Sequence, residues 1–165
     1  MFWTVSQPLI SIVFAGVASL AAGSAAACPD WSLTGRQLSY SSDQLWAQQT
    51  VPVVAGGANQ LTNCPQPGVG YVATQPDFDL NFTGNAQGRD LEFRVSASCD
   101  TVLLVNDARG QWHFDDDGGG GTNSLLRLPG AADGAYDIWV GTYGPATCQA
   151  TLSMMTLTGG TGAPQ

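Results

Sequence analysis

Residues 90–99 read DLEFRVSASC, and this stretch decides the fold class. Leu91, Phe93, Val95, Ala97 and Cys99 alternate with polar or charged side chains throughout it. Successive side chains of a β-strand point to opposite faces of the sheet, so a strict period of two predicts a strand with one buried face.

Outward from this stretch, short apolar or alternating runs recur along the chain, separated by turn residues. Predicted strands cover 50–55, 78–82, 101–105, 111–114, 125–128, 136–140 and 148–154. The segments between them are rich in Gly, Pro, Asn and Asp, the residues that favour turns. Strands at this spacing, with no convincing helix after residue 27, predict an all-β protein: an antiparallel β-sandwich with a jelly-roll-like topology.

The charge balance excludes several classes of protein. The 165 residues include 13 Asp and Glu against 5 Arg and no Lys, for a net charge of −8. Glu92 is the only Glu, and this scarcity of Glu and Lys, with 21 Gly and 9 Pro, argues against a helical protein. No basic stripe exists to bind phosphates, so neither nucleic acid nor an anionic membrane surface is an expected partner. A hydrophobic content of 44% excludes a disordered chain.

Residues 1–27 carry no charged side chain and predict a secretory signal peptide. An apolar run over 8–22 is followed by three alanines at 25–27, which fits cleavage after Ala27. A membrane anchor is the alternative, but the run is short for a span and no positive charge flanks it. We therefore expect a periplasmic or extracellular protein without a membrane span after cleavage. Because Cys28 would then be the first residue, a lipoprotein anchored through Cys28 is a second alternative.

Four cysteines remain after residue 27: Cys28, Cys64, Cys99 and Cys148. An even count in an exported chain indicates disulfides, and four cysteines allow three pairings. Sequence order favours Cys28–Cys64 and Cys99–Cys148, and the second pair lies on the apolar phases of two predicted strands. A zinc site is poorly supported, because no Cys-x-x-Cys occurs and the chain has a single His.

The second half of the chain holds four sequence pieces that follow one another in a recognisable order. The alternating strand continues into DTVLLV at 100–105 and the turn NDARG at 106–110. A short strand leads into DDDGGGGTNS at 115–124, and a later strand reads GAYDIWV at 134–140. In order and spacing, these pieces of 89–140 resemble the bacterial pre-peptidase C-terminal domain family.

The resemblance implies a small jelly-roll-like sandwich, of a kind usually attached to exported enzymes for targeting or substrate binding. The family is similar to the collagen-binding modules of clostridial collagenases, some of which bind calcium. We accordingly expect one domain over 28–157, with a poorly matched part at 28–76, a matching core at 77–157 and a flexible tail at 158–165.

The acidic loops suggest a calcium site. Asp107 closes one loop, and Asp115, Asp116 and Asp117 open another next to four glycines. Calcium binds several oxygen ligands from flexible loops, and we expect both loops to converge at one end of the sandwich. The spacing does not match an EF-hand. In the alternative, these Asp residues are turn formers whose side chains cap their own backbone.

Three aromatic residues near strands or loops are candidates for ligand stacking: Trp112, Trp139 and Tyr143. Trp139 shares the phase of the polar residues in its strand, so an exposed aromatic row that stacks on a glycan or protein ligand is one interpretation. Burial of these rings under the N-terminal segment is the other.

The sequence offers no catalytic constellation. His113 is the only candidate base, and no Gly-x-Ser-x-Gly motif supplies a nucleophile. We therefore expect a non-enzymatic accessory or binding module with an unknown protein or glycan ligand, and no cofactor other than calcium. The alternatives are a calcium-stabilised structural module and, third, a secreted hydrolase.

Overall fold

The computed structural model describes Met1 and residues 27–159, almost all of them in strands, turns and loops. The strands are β1 (Arg36–Ser41), β2 (Gln49–Ala55), β3 (Asn59–Gln60), β4 (Tyr71–Val72), β5 (Phe78–Thr83), β6 (Asp90–Ala97), β7 (Thr101–Asn106), β8 (Trp112–Asp115), β9 (Leu125–Leu128), β10 (Gly134–Thr142) and β11 (Cys148–Leu157). Two single 3₁₀ turns, Gln44–Trp46 and Leu61–Asn63, are the helical elements of this part of the chain. The predicted signal peptide, apart from its two end residues, and the last six residues of the predicted tail lie outside the described residues.

The described strands form two sheets, which confirms the all-β sandwich prediction. In the 7-stranded sheet, β10 pairs with β5 on one edge and with β7 on the other, while β1 and β8 lie outside them. The short β3–β4 hairpin joins the far end of β10 at Thr142. The second sheet has the order β2–β11–β6–β9.

One pairing departs from the predicted antiparallel arrangement: β1 runs parallel to β5. Parallel neighbours need a crossover connection, because the chain must return to the same end of the sheet. Here the chain leaves β1 for β2 in the second sheet before it returns to β5. The sandwich is therefore mixed.

Residues 90–97 of the stretch that decided the fold class form β6. Leu91, Phe93 and Val95 are buried, and the polar residues between Phe93 and Ala97 are exposed, as the alternation predicts. The main core lies between the two sheets. Its buried side chains include Phe78, Leu80, Phe82, Tyr136 and Ile138 from the 7-stranded sheet and Leu91, Phe93 and Leu152 from the second sheet.

A second, smaller cluster covers part of the outer face of the 7-stranded sheet. Val102, Leu104 and Trp139 project from that face, and Leu61 and Val72 pack on them from the segment 59–74. Trp139 is 0% exposed. The interpretation of Trp139 as an exposed stacking residue is therefore wrong, because a segment from the N-terminal half of the chain covers it.

The disulfides are Cys28–Cys64 and Cys99–Cys148, the two pairs that sequence order predicts. The first ties residues 28–35, hereafter the N-terminal strap, to the end of the second 3₁₀ turn. Lipidation of Cys28 would use the same sulfur atom, so the lipoprotein alternative is wrong for the disulfide-bonded protein. Disulfides of this kind persist in oxidising compartments, which agrees with export. No helix among the described residues is long and apolar enough to cross a membrane.

Candidate functional site

A row of side chains crosses five strands on the outer face of the 7-stranded sheet. Asn106 on β7 pairs with Trp112 on β8 and with Asp137 on β10. Asp137 pairs in turn with Asp79 on β5, and Asp79 pairs with Gln37 on β1. Side chains directly opposite one another across strands are close enough to interact. We call these five residues the polar row.

A groove of about 320 Å³ lies over one end of the polar row. Asn106 and Asp137 line it from the sheet, and the turn that joins β7 to β8 lines one side. Two indole rings complete it: Trp112 from β8 and Trp31 from the N-terminal strap. We call this cavity the tryptophan groove.

The N-terminal strap is fixed in place although it has no regular secondary structure. The backbone N–H of Asp30 donates to the carbonyl of Thr74 at 2.8 Å. The Asp30 carboxylate accepts hydrogen bonds from the hydroxyl of Ser32 at 2.6 Å and from its N–H at 2.9 Å, and these bonds lower the pKa of Asp30. Together with the first disulfide, these contacts hold Trp31 over the groove while its side chain stays 62% exposed.

Two carboxyl groups meet in the polar row next to the groove. Burial raises the pKa of Asp137 to about 6, and the charge of Asp79 acts in the same direction. Asp79 accepts hydrogen bonds from the N–H of Gly35 at 2.9 Å and from the side-chain amide of Gln37. Its other oxygen is buried without a hydrogen-bond partner among the described residues. Neither carboxylate has a described Arg or His within ion-pair distance.

Asp107 holds the turn between β7 and β8. One carboxylate oxygen accepts hydrogen bonds from the N–H groups of Arg109 and Gln111, at 2.8 and 2.9 Å. The other lies 2.8 Å from Nε2 of His113. Burial alone would raise the pKa of Asp107, but the hydrogen bonds from His113 and from the two N–H groups outweigh it and lower the pKa. No described hydroxyl or thiol hydrogen-bonds to His113, so the structure assembles no nucleophile–base pair there.

The predicted convergence of the acidic loops is wrong. Asp107 precedes β8 and Asp115 ends it, so Asp107 and the run 115–117 lie at opposite ends of that strand. Asp115 caps its own loop, because its carboxylate accepts hydrogen bonds from the N–H groups of Gly118 and Leu125, both at 2.8 Å. The described residues contain no group of three or more His, Cys, Asp or Glu placed to hold a metal ion. The turn-former alternative describes both Asp107 and Asp115.

Comparisons with known proteins give a distant structural similarity. No family model matches the chain, and no curated protein matches it significantly. A periplasmic inhibitor of g-type lysozyme from Aeromonas hydrophila is similar in structure, with 13% sequence identity and a TM-score of 0.37. The match covers 75% of this chain and 100% of the inhibitor. The resemblance of residues 89–140 to the pre-peptidase C-terminal domain family stays a prediction.

Of the three predicted stacking residues, only Trp112 reaches the tryptophan groove. Trp139 is buried, and its ring centroid lies 5.3 Å from that of Trp112. Tyr143 is 53% exposed but follows the opposite end of β10. Sequence reasoning missed Trp31, whose position depends on the first disulfide. The available signal was that Trp31 lies three residues after a cysteine, in a Pro-Asp turn.

We expect Asp107→Ala to lower the free energy of unfolding by about 2 kcal/mol, because a half-buried carboxylate with three donors is lost from a turn. Chemical denaturation of the disulfide-bonded protein measures this. Asp117→Ala is the matched control, since Asp117 is exposed and lies in the next loop. Equal midpoints for the two variants would contradict the assigned role of Asp107.

Proposed function

We propose that this protein is an exported, non-catalytic binding module that takes its ligand in the tryptophan groove. The observation that carries the proposal is the exposed indole of Trp31, which a disulfide-anchored strap holds beside Trp112 and above the polar row. Exposing a large aromatic ring forgoes the free energy of burying it, and fixing the backbone around it costs entropy. Rigid aromatic residues held in this way are typical of binding surfaces.

The lining of the groove supports binding rather than catalysis. The lining includes two tryptophans, one asparagine and two aspartates, Asp107 and Asp137. It therefore combines apolar contact with a few polar groups, which is the usual make-up of ligand pockets. The groove is at the small end of the range for such pockets, so it suits one side chain or one ring of a larger ligand. The resemblance to the pre-peptidase C-terminal domain family, with its accessory role beside exported enzymes, is compatible with this proposal.

The proposal predicts that ligand binding depends on the indole ring of Trp31. We would screen the disulfide-bonded protein, without residues 1–27, against peptide and glycan arrays and measure hits by the resonances of the indole N–H groups. Trp31→Ala should weaken every hit in the groove by tenfold or more, as expected for a tryptophan anchor. Trp46→Ala is the matched control, because Trp46 is also exposed, lies under Arg89 and does not line the groove.

Two outcomes would contradict the proposal. One is that the array hits bind Trp31→Ala as tightly as the unmodified protein. The other is hydrolysis of casein or simple esters that His113→Ala abolishes, since the protein would then be an enzyme.

A further inference from the structure

We propose that the ligand group in the tryptophan groove is an organic cation, an alkylammonium or guanidinium group, which lies between Trp31 and Trp112 and pairs with Asp137. This inference rests on the proposed function, because it names the chemistry of the ligand that the same groove would take. The charge of the polar row, the absence of lysine and arginine from the lining of the groove, and the indole walls each support it.

The polar row holds negative charge that its surroundings do not neutralise. Asp79 and Asp137 lie directly opposite each other on β5 and β10, and like charges in that position destabilise a sheet. One oxygen of Asp79 has no hydrogen-bond partner among the described residues. A cation bound at Asp137 would reduce the repulsion between the two carboxylates.

No lysine or arginine side chain of the chain provides that cation. It contains no Lys, and its five arginines all lie among the described residues. Arg89, Arg94 and Arg127 pair with carboxylates outside the groove. Arg36 lies over a phenylalanine ring at 5.9 Å, and Arg109 lines a second cavity on the other side of the β7–β8 turn. None of the five lines the tryptophan groove.

The walls of the groove favour an organic cation over a metal ion. Indole rings attract ammonium and guanidinium groups through their electron-rich faces. Calcium instead needs about six oxygen ligands, and the described residues hold no group of three acidic or His side chains suited to a metal. The net charge of −8 also draws cationic partners toward the protein.

A neutral sugar is the competing ligand, because sugar rings also stack on indoles. The two ligands make different demands on Asp137. A sugar hydroxyl can donate to an amide oxygen as well as to a carboxylate, whereas a cation requires the negative charge. Asp137→Asn therefore separates them.

The experiment titrates the disulfide-bonded protein with probes that differ in charge. The probes are a capped Gly-Lys-Gly peptide, its arginine and acetyl-lysine versions, 1,5-diaminopentane and a neutral oligosaccharide, each followed by the indole N–H resonances of Trp31 and Trp112. We expect the lysine and arginine peptides to shift both resonances and the acetyl-lysine peptide not to. Asp137→Asn should weaken the cationic probes by about tenfold, and Asp117→Asn, in an exposed loop, should not.

The diamine identifies the source of the cation: equal binding of diamine and lysine peptide indicates a free polyamine, and tighter binding of the peptide indicates a basic protein. The inference is overturned if no cationic probe shifts the Trp31 resonance, or if acetyl-lysine binds as well as lysine. If an oligosaccharide binds in a way that needs Trp31 but not the charge of Asp137, the proposal of a cationic ligand is wrong, whereas the proposal of a binding module still holds. If the ligands bind Trp31→Ala as tightly as the unmodified protein, both the cationic ligand and the role of the tryptophan groove in binding are wrong.

Discussion

Trp139→Ala should lower the free energy of unfolding by about 3–5 kcal/mol, the cost of removing a fully buried tryptophan side chain. Trp139 is 0% exposed and belongs to the cluster that covers the outer face of the 7-stranded sheet. The substitution removes its contacts and leaves a cavity beside Leu104 and Val72. It also removes the hydrogen bond that the indole N–H donates to the carbonyl of Thr74 at 3.4 Å.

Chemical denaturation measures the free energies of unfolding of Trp139→Ala and of the control variant Tyr143→Ala. Both positions are candidates for stacking in the sequence, but Tyr143 is 53% exposed, so its substitution should change stability by less than about 0.5 kcal/mol. The loss of stability for Trp139→Phe should lie between those of the two alanine variants, since phenylalanine keeps most of the apolar volume. A Trp139→Ala protein as stable as Tyr143→Ala would show that the outer cluster contributes little.

Trp139 also shows where sequence reasoning about the fold ends. Alternation in β10 correctly places Trp139 on the face opposite Tyr136. Whether that face meets water depends on residues 59–74, which are remote in sequence and carry only two very short strands. Strand periodicity is a local signal, and the covering of a sheet face is not. The strand β1 was missed for a related reason, because only Leu38 and Tyr40 mark its buried face.

The candidate site was less predictable than the strands. Trp112 and the turn at Asp107 were identified from local patterns, but the polar row depends on the register of five strands. Register follows from tertiary pairing, and one residue of slip would turn each side chain to the other face. The acidic loops were misplaced because closeness in sequence suggested closeness in space. The strand β8, with 4 residues, separates them.

The stability of this protein should fall as the pH rises from about 4 to 7, and Asp77 is the main cause. Asp77 precedes β5, and its carboxylate accepts a hydrogen bond from the N–H of Val140 at 2.7 Å. Burial raises the pKa of Asp77 to about 7, against the lowering effect of that bond. Between the unfolded and folded pKa values the folded state binds the extra proton, so stability decreases with pH. Burial and Asp79 raise the pKa of Asp137 to about 6 and act in the same direction.

Other carboxylates have the opposite effect on stability at lower pH. The pKa of Asp107 is lowered in the folded protein, because its hydrogen bonds outweigh burial, so its contribution to stability is present above about pH 4 and lost below it. The raised pKa values of Asp77 and Asp137 make stability fall as the pH rises, whereas the lowered pKa of Asp107 makes it rise. The two trends cross near the ordinary pKa of an aspartate. We therefore expect the maximum of stability at mildly acidic pH.

Asp77→Asn tests the origin of the slope, since the amide oxygen of Asn can still accept the hydrogen bond from Val140 but carries no charge to desolvate. A rise of about 3 pKa units corresponds to roughly 4 kcal/mol, which is the most that the substitution should add to the free energy of unfolding above pH 7. Near pH 4 the variant and the unmodified protein should be equally stable, so the curve of stability against pH should flatten. Denaturation midpoints from pH 4 to 8 measure both features, with Asp117→Asn as the exposed control. If Asp77→Asn and Asp117→Asn give parallel curves, the slope comes from the overall negative charge and not from the buried carboxyl group of Asp77.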